Sequence, residues 1–161
     1  MARMTVTGLD NFSVMIQALG DSGREVMKAA VYAGAGEMAA ALKEEIRKLP
    51  EEEGYLPNGS QRAVLTAAEK QALLDHVGIS KLDDDGGRVS AAVGFNGYTE
   101  HATKKYPQGV PVPLIARSIE SGSSVRKKRP FMRQAANAAR ERVQKAMLEA
   151  ANTYLQTLAK E

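Results

Sequence analysis

From Arg129-Pro130-Phe131 to about Leu158 the chain carries a helical periodicity that no glycine or further proline interrupts. Phe131, Ala135, Ala138, Ala139, Val143, Ala146, Ala150, Tyr154 and Leu158 recur every three or four residues and mark one narrow apolar face. Pro130 suits the first turn, where its missing N–H costs nothing. A helix this long with a face this narrow needs a second long helix to cover it. Ser22-Gly23-Arg24-Glu25 has the form of a capping box, in which side chains satisfy two orphaned backbone N–H groups reciprocally. The helix it predicts runs through Val26, Ala30, Ala33, Ala40 and Ile46 to Leu49, because Pro50 cannot continue it and disfavours helix in the residue before it. Aromatics are only 5% of the chain and tryptophan is absent, so alanine supplies much of the apolar surface. That favours closely approaching helices over a bulky core.

The rest of the chain predicts smaller elements. Met4 to Gly8 reads as a short strand, and Asp10 as the cap of a short helix carrying Phe12, Met15, Ile16 and Leu19 up to Gly20. Residues 50–62, with Glu51-Glu52-Glu53-Gly54 and Pro57-Asn58-Gly59, read as loop. Thr66-Ala67-Ala68-Glu69 is a second capping box, opening a short helix that ends near His76. His76 to Leu82 and Arg88 to Phe95 alternate in polarity around Asp83-Asp84-Asp85-Gly86-Gly87, which predicts a β-hairpin at about 77–95. Residues 99–113, with Pro107, Gly109, Pro111 and Pro113, form a long loop of the kind that is functional or mobile. Leu114 to Ile119 reads as a short helix broken by Glu120-Ser121-Gly122-Ser123-Ser124. The expected fold is α+β: one domain over residues 1–161, with a small antiparallel sheet (the hairpin plus the N-terminal strand) packed with helices at about 22–49 and 130–158.

Several chemistries find little support. There is no cysteine, so disulfides, thiolate metal sites and a cysteine nucleophile are excluded. His76 and His101 have neither metal-ligand spacing nor an H-E-x-x-H context, and His76 suits a helix end. Asp83-Asp84-Asp85-Gly86 partly matches a calcium loop, but the position that needs a bidentate glutamate is Gly94, so it reads as a turn. Ser118, Ser121, Ser123 and Ser124 lack a nucleophile elbow and read as a polar turn. Gly34-Ala35-Gly36 follows no strand and reads as close helix packing or a kink, not a phosphate loop. No catalytic residue, metal or cofactor is expected. No signal peptide is visible at the N-terminus, and no apolar run approaches the roughly 18 residues of a membrane helix. The chain is expected to be made and used in the cytoplasm, or in something assembled there.

The one sharp feature is charge. The formal net charge is +3, yet between Val125 and Lys145 eight basic side chains face a single acid, Glu141. The run Arg126, Lys127, Lys128, Arg129, joined by Arg133, has three readings. It is a solvated linker, a nucleic-acid contact, or a contact with an acidic neighbour in an oligomer. No interleaved aromatics or recognised motif favours the nucleic-acid reading.

Ala116-Arg117-Ser118-Ile119-Glu120-Ser121-Gly122-Ser123-Ser124, followed by Lys128-Arg129-Pro130-Phe131-Met132-Arg133-Gln134-Ala135, resembles the double signature of a tailed-phage family. In that family a short apolar segment ends in Glu-x-Gly-Thr/Ser, and after a variable stretch Pro-Phe-Leu-x-x-Ala opens the C-terminal helix. The signature residues here are Glu120, Gly122, Ser123, Pro130, Phe131 and Ala135. The family is the tail-completion or head–tail joining proteins of phages and prophages, typified by the tenth gene product of an HK-type lambdoid coliphage. Gly8-Leu9, Leu73-Leu74-Asp75-His76-Val77-Gly78-Ile79, Val93-Gly94-Phe95-Asn96-Gly97-Tyr98 and Thr103-Lys104-Lys105-Tyr106-Pro107-Gln108-Gly109 extend the resemblance over nearly the whole chain. Ser123 stands where members commonly have Thr, and Gln134 where many have Pro.

The resemblance implies a non-catalytic α+β virion subunit, a minor tail component working in a homo-oligomeric ring, a hexamer, at the neck or the head-proximal end of the tail. It implies assembly in the bacterial cytoplasm, and tail tube, terminator or head-connector proteins as partners, with DNA in transit nearby. In such a ring the basic run can meet Glu51, Glu52 and Glu53 of an adjacent subunit. The alternative is a basic DNA-binding accessory protein of a phage or prophage.

Overall fold

The computed structural model describes residues 20–51, 65–124 and 126–159. The expected N-terminal strand and short helix, most of the 50–62 loop including Glu52 and Glu53, and Val125 lie outside the described residues. The described residues form an α+β fold with four helices and a small antiparallel set of strands. The helices are α1 (Asp21–Lys48), α2 (Ala67–Asp75), α3 (Val112–Ser121) and α4 (Phe131–Leu158). The strands are β1 (Val77–Ile79), β2 (Asp83–Asp84), β3 (Val89–Ser90) and β4 (Val93–Phe95).

Helices α1 and α4, of 28 residues each, are the frame. They run antiparallel: Val26 and Ala30 near the start of α1 cluster with Ala151, Tyr154, Leu155 and Leu158 near the end of α4. Gly34 sits at a close approach of the two; a Cβ there would lie 2.7 Å from Met147 Cγ and 3.2 Å from Val143 Cγ1. That is the close packing expected of the Gly34-Ala35-Gly36 stretch, although Gly36 faces open space. The larger core joins the C-terminal half of α1 (Met38, Leu42, Ile46) to the N-terminal half of α4 (Phe131, Ala135, Ala139, Val143), with Leu65, Leu73, Val93, Val112, Ile115 and Ile119 closing over it.

The buried face of α4 differs from the expected one in detail. Ala138 is exposed, while Ala151 is buried and Met147 half-buried. On α1, Ala40 is exposed and Met38, Ala41 and Leu42 are buried. Paired alanines on a helix give periodicity no large side chain to decide between neighbouring faces.

Helix starts divide the two capping boxes. Thr66 caps α2 as expected: its Oγ1 accepts from Glu69 N, while the Glu69 carboxylate accepts from Thr66 N. Ser22 does not cap α1. The helix begins one residue earlier, at Asp21, behind Gly20 at φ 58°. Glycine's freedom in the left-handed region lets the chain turn into the helix there, which puts Ser22 inside the first turn. At the other end Leu49 is extended before Pro50 and closes α1 as expected. Lys70 Nζ donates to its carbonyl at 3.0 Å.

The hairpin forms as two short ladders with a register offset of one residue. Val77 faces Phe95 and Ile79 faces Val93, but Asp83 faces Ser90. Ser80 absorbs the extra residue: its N–H donates to Ala92 O, and its Oγ, not its carbonyl, accepts from Ala92 N. The turn is narrower than expected. Asp83 and Asp84 are in strand, and residues 85–88 turn with Gly86 at φ 86°. Asp85 Oδ1 accepts from the N–H groups of Gly87 and Arg88, which holds its carboxyl below the usual carboxylate range. Asp84 instead faces α1, pairing with Arg24 and Lys28.

The long loop is shorter and more tied than expected. Thr99 N donates to Val110 O, Thr99 Oγ1 accepts from Val110 N, and Val112 N donates to Gly97 O. Gly109, at φ 99°, lets the two strands of this stem touch; a Cβ would sit 1.8 Å from Thr99 O. Helix α3 begins at Val112, so Pro113 lies in its first turn, where proline is tolerated. Glu120 and Ser121 belong to α3, and Gly122 ends it.

Candidate functional site

Helix α4 starts without an acid in its first turn and without a cap from its own N-cap residue, Pro130. The first N–H groups of a helix need acceptors, and its positive end favours a negative charge. Glu120, on the last turn of α3, supplies both. Its Oε2 accepts from Met132 N at 2.8 Å and its Oε1 from Arg133 N at 3.3 Å.

Between the two helices the chain makes a closed turn. Ser123 and Arg126 exchange backbone hydrogen bonds at 2.9 and 3.3 Å, and Arg129 N donates to Ile119 O at 2.7 Å. Gly122 makes the closure possible. Its φ of 78° and ψ of 166° suit only glycine, and a Cβ there would lie 3.0 Å from Lys128 Cβ and 3.3 Å from the Lys128 backbone. Phe131 is 1% exposed and packs against Phe95, ring centroids 6.1 Å apart. Ala135 follows one turn later, fully buried. Glu120, Gly122, Ser123, Pro130, Phe131 and Ala135 thus belong to one local construction. Pro130 stands at the N-cap, one position before the first turn, and accepts from Gln134 N.

The candidate interaction residues divide. Arg126 does not belong to an exposed basic run. It is 8% exposed and its Nη2 lies 2.8 Å from Glu69 Oε1. Its Nη1 is buried without a hydrogen-bond partner. Its side chain therefore pins the turn onto the capped start of α2. Glu51 pairs within its own chain, with Lys70 Nζ at 2.9 Å. Lys127, Lys128, Arg129 and Arg133 are exposed and make no ion pair among the described residues. Three positive side chains, Lys127, Lys128 and Arg129, therefore belong to a turn held at both ends, and Arg133 follows in the first turn of α4.

Beside this turn lies a half-open groove of about 440 Å³, lined by Phe95, Pro113, Ala116, Arg117, Glu120 and Met132, with Gly94 and Ser121 at its edge. Phe95 and Met132 give it an apolar floor. The one carboxylate in its wall already accepts two backbone hydrogen bonds, and Arg117 is exposed. Charge patterning pointed to the arm but not to the groove, whose lining comes from β4, α3 and α4. A sequence signal for the Glu120 cap did exist: a helix start with no acid of its own, and an acid at the end of the preceding helix.

Next to β1, His76 closes α2, and its imidazole fills the space beside Gly97, where a Cβ would lie 2.3 Å from Nδ1. Among the described residues no three acid, histidine or cysteine side chains are grouped to hold a metal ion, and no helix is long and apolar enough to cross a membrane. No family model, curated protein or solved structure matches the chain.

Proposed function

We propose that this chain is a non-catalytic structural subunit of a tailed phage or prophage, acting in tail completion or head–tail joining as part of a closed ring, a hexamer. Its partners are then tail tube, terminator or connector proteins, and its place is the neck or tail of the virion. One observation carries the proposal. The residues of the double signature, separated in sequence, meet in one construction in which each has a physical task. Glu120 caps α4, Gly122 lets the turn close, Phe131 plugs the core and Ala135 permits close packing. A signature built this way presents a stiff, positively charged turn at a fixed place on the body, which suits a repeated contact in a ring.

Negative-stain microscopy and light scattering of the purified chain test the proposal, alone and mixed with isolated tails or connectors. Closed rings, or binding to either structure, are expected. A strict monomer that binds neither overturns it.

The exposed Lys127, Lys128, Arg129 and Arg133 favour a second reading as a DNA-binding accessory protein. It requires salt-dependent duplex binding that is lost when these four are neutralised. No mobility shift at low salt removes it.

A further inference from the structure

We infer that the outer face of α1 pairs with the same face of a second copy of this chain, antiparallel across a two-fold axis at Gly36. This goes beyond the ring reading and does not rest on it. Ring contacts run head to tail, whereas this contact is the same on both partners. Helix α1 buries Ala30, Gly34 and Met38 on its inner side. The opposite side is bare: Glu25, Tyr32, Gly36, Ala40 and Arg47 are all exposed. On a helix of 3.6 residues per turn these five fall within an arc of about 80°. Tyr32 is 59% exposed, more than any other large apolar side chain among the described residues. One turn on, a Cβ at Gly36 would meet nothing within 4 Å. The face thus offers a neighbouring helix a large knob beside a hollow.

The spacing of this face selects its occupant. Tyr32 and Ala40 lie four residues to either side of Gly36, and Glu25 and Arg47 lie eleven to either side. When two copies cross antiparallel at Gly36, Tyr32 of each lies against the partner's Ala40, and Glu25 against the partner's Arg47. Large meets small and acid meets base, twice over. The charged pairs sit about 17 Å from the crossing point along each helix, within reach of long side chains at a crossing angle near 20°. A parallel pairing would instead set Glu25 on Glu25, Tyr32 on Tyr32 and Arg47 on Arg47. Within its own chain Glu25 Oε1 accepts from Lys28 at 2.8 Å. A carboxylate accepts several donors, so this bond leaves room for the partner's guanidinium.

Two measurements on the full chain test this. The sequence has no cysteine, so one introduced thiol reports one position. Helices packed through small residues approach to about 8 Å between axes, which brings two residues at the crossing within disulfide reach. Under mild oxidation Gly36→Cys should form a linked dimer at least tenfold faster than Ala138→Cys, an exposed position on α4. Light scattering over a concentration series then reads the charges. Glu25→Arg and Arg47→Glu should each raise the dissociation constant of the pair at least tenfold. Glu25→Arg/Arg47→Glu together should restore it to within threefold. The two positions are about 33 Å apart on one helix, so such a rescue acts between chains and not within one. Circular dichroism checks that each variant is folded.

Equal disulfide rates at the two cysteine positions overturn the inference. A double variant no better than the single ones overturns it as well, and so does an unaltered chain that stays monomeric at millimolar concentration. Rings that form and ignore all of these substitutions leave the ring reading standing and remove this one. Two-fold pairs without rings uphold this one and remove the ring.

Discussion

The Glu120 carboxylate and the Met132 backbone N–H are joined by a 2.8 Å hydrogen bond that ties the end of α3 to the start of α4. The helix is capped from its neighbour and not from its own flank. Glu120→Ala should cost about 1–2 kcal/mol, the usual loss of a helix cap. Glu120→Gln keeps the acceptor and loses only the charge, so it should cost about 0.3–1 kcal/mol. Urea denaturation midpoints distinguish the two. Equal losses would mean the charge alone matters.

Gly122 and Gly36 make opposite predictions for the same substitution. Gly122→Ala forces a side chain into a glycine-only conformation against Lys128 and should destabilise by about 1–3 kcal/mol. Gly36 lies in mid-helix with nothing within 4 Å of a Cβ, so Gly36→Ala should stabilise by about 0.5–1 kcal/mol. Thermal melts of the two variants should move in opposite directions.

Arg126 and Glu69 form a largely buried pair. Removing one partner of such a pair costs roughly 3–5 kcal/mol. Because Glu69 keeps its bonds to Thr66, Arg126→Ala should fall near the lower end. The loss should hardly change with added salt. A loss that vanishes at high salt would place the pair in solvent.

Asp85 has a folded pKa below its ordinary value because it accepts backbone hydrogen bonds from Gly87 and Arg88. A carboxyl shifted downward contributes stability in full above its unfolded pKa and loses it as pH falls through the folded one. Asp85→Asn should therefore flatten the acid limb of the stability–pH curve and leave its alkaline limb unchanged. Carboxyl chemical shifts followed by NMR should place the Asp85 midpoint below those of solvated aspartates.

Much of the fold was legible in the sequence, for identifiable reasons. The Thr66 box was readable because both of its bonds are local. The end of α1 was readable because Pro50 acts on its immediate neighbour. Ser22 misled because Gly20, which reverses the chain just before it, opens the helix earlier than the box does. Alanine periodicity placed the long helices but not their buried edges. Ala138 and Ala139 are chemically alike, and only the partner helix decides that Ala139 is buried. At the candidate site the charge run was visible, but Arg126 was grouped with it. Its distant partner, Glu69, looked like a capping residue and nothing more. The groove assembles side chains from three elements, and no local pattern encodes such a meeting.

The pairing of α1 with α4 has a consequence for how the chain matures. The first described helix finds most of its cover in the last one, with every other described element lying between them in sequence. During synthesis, α1 leaves the ribosome with its apolar stripe bare, and neither α2 nor the hairpin is long enough to sheathe it. The core closes only after Val143 and Ala151 are released. Folding thus waits for α4 and has high contact order. A nascent chain stalled before α4 is the form in which this protein is most exposed to aggregation and to chaperones.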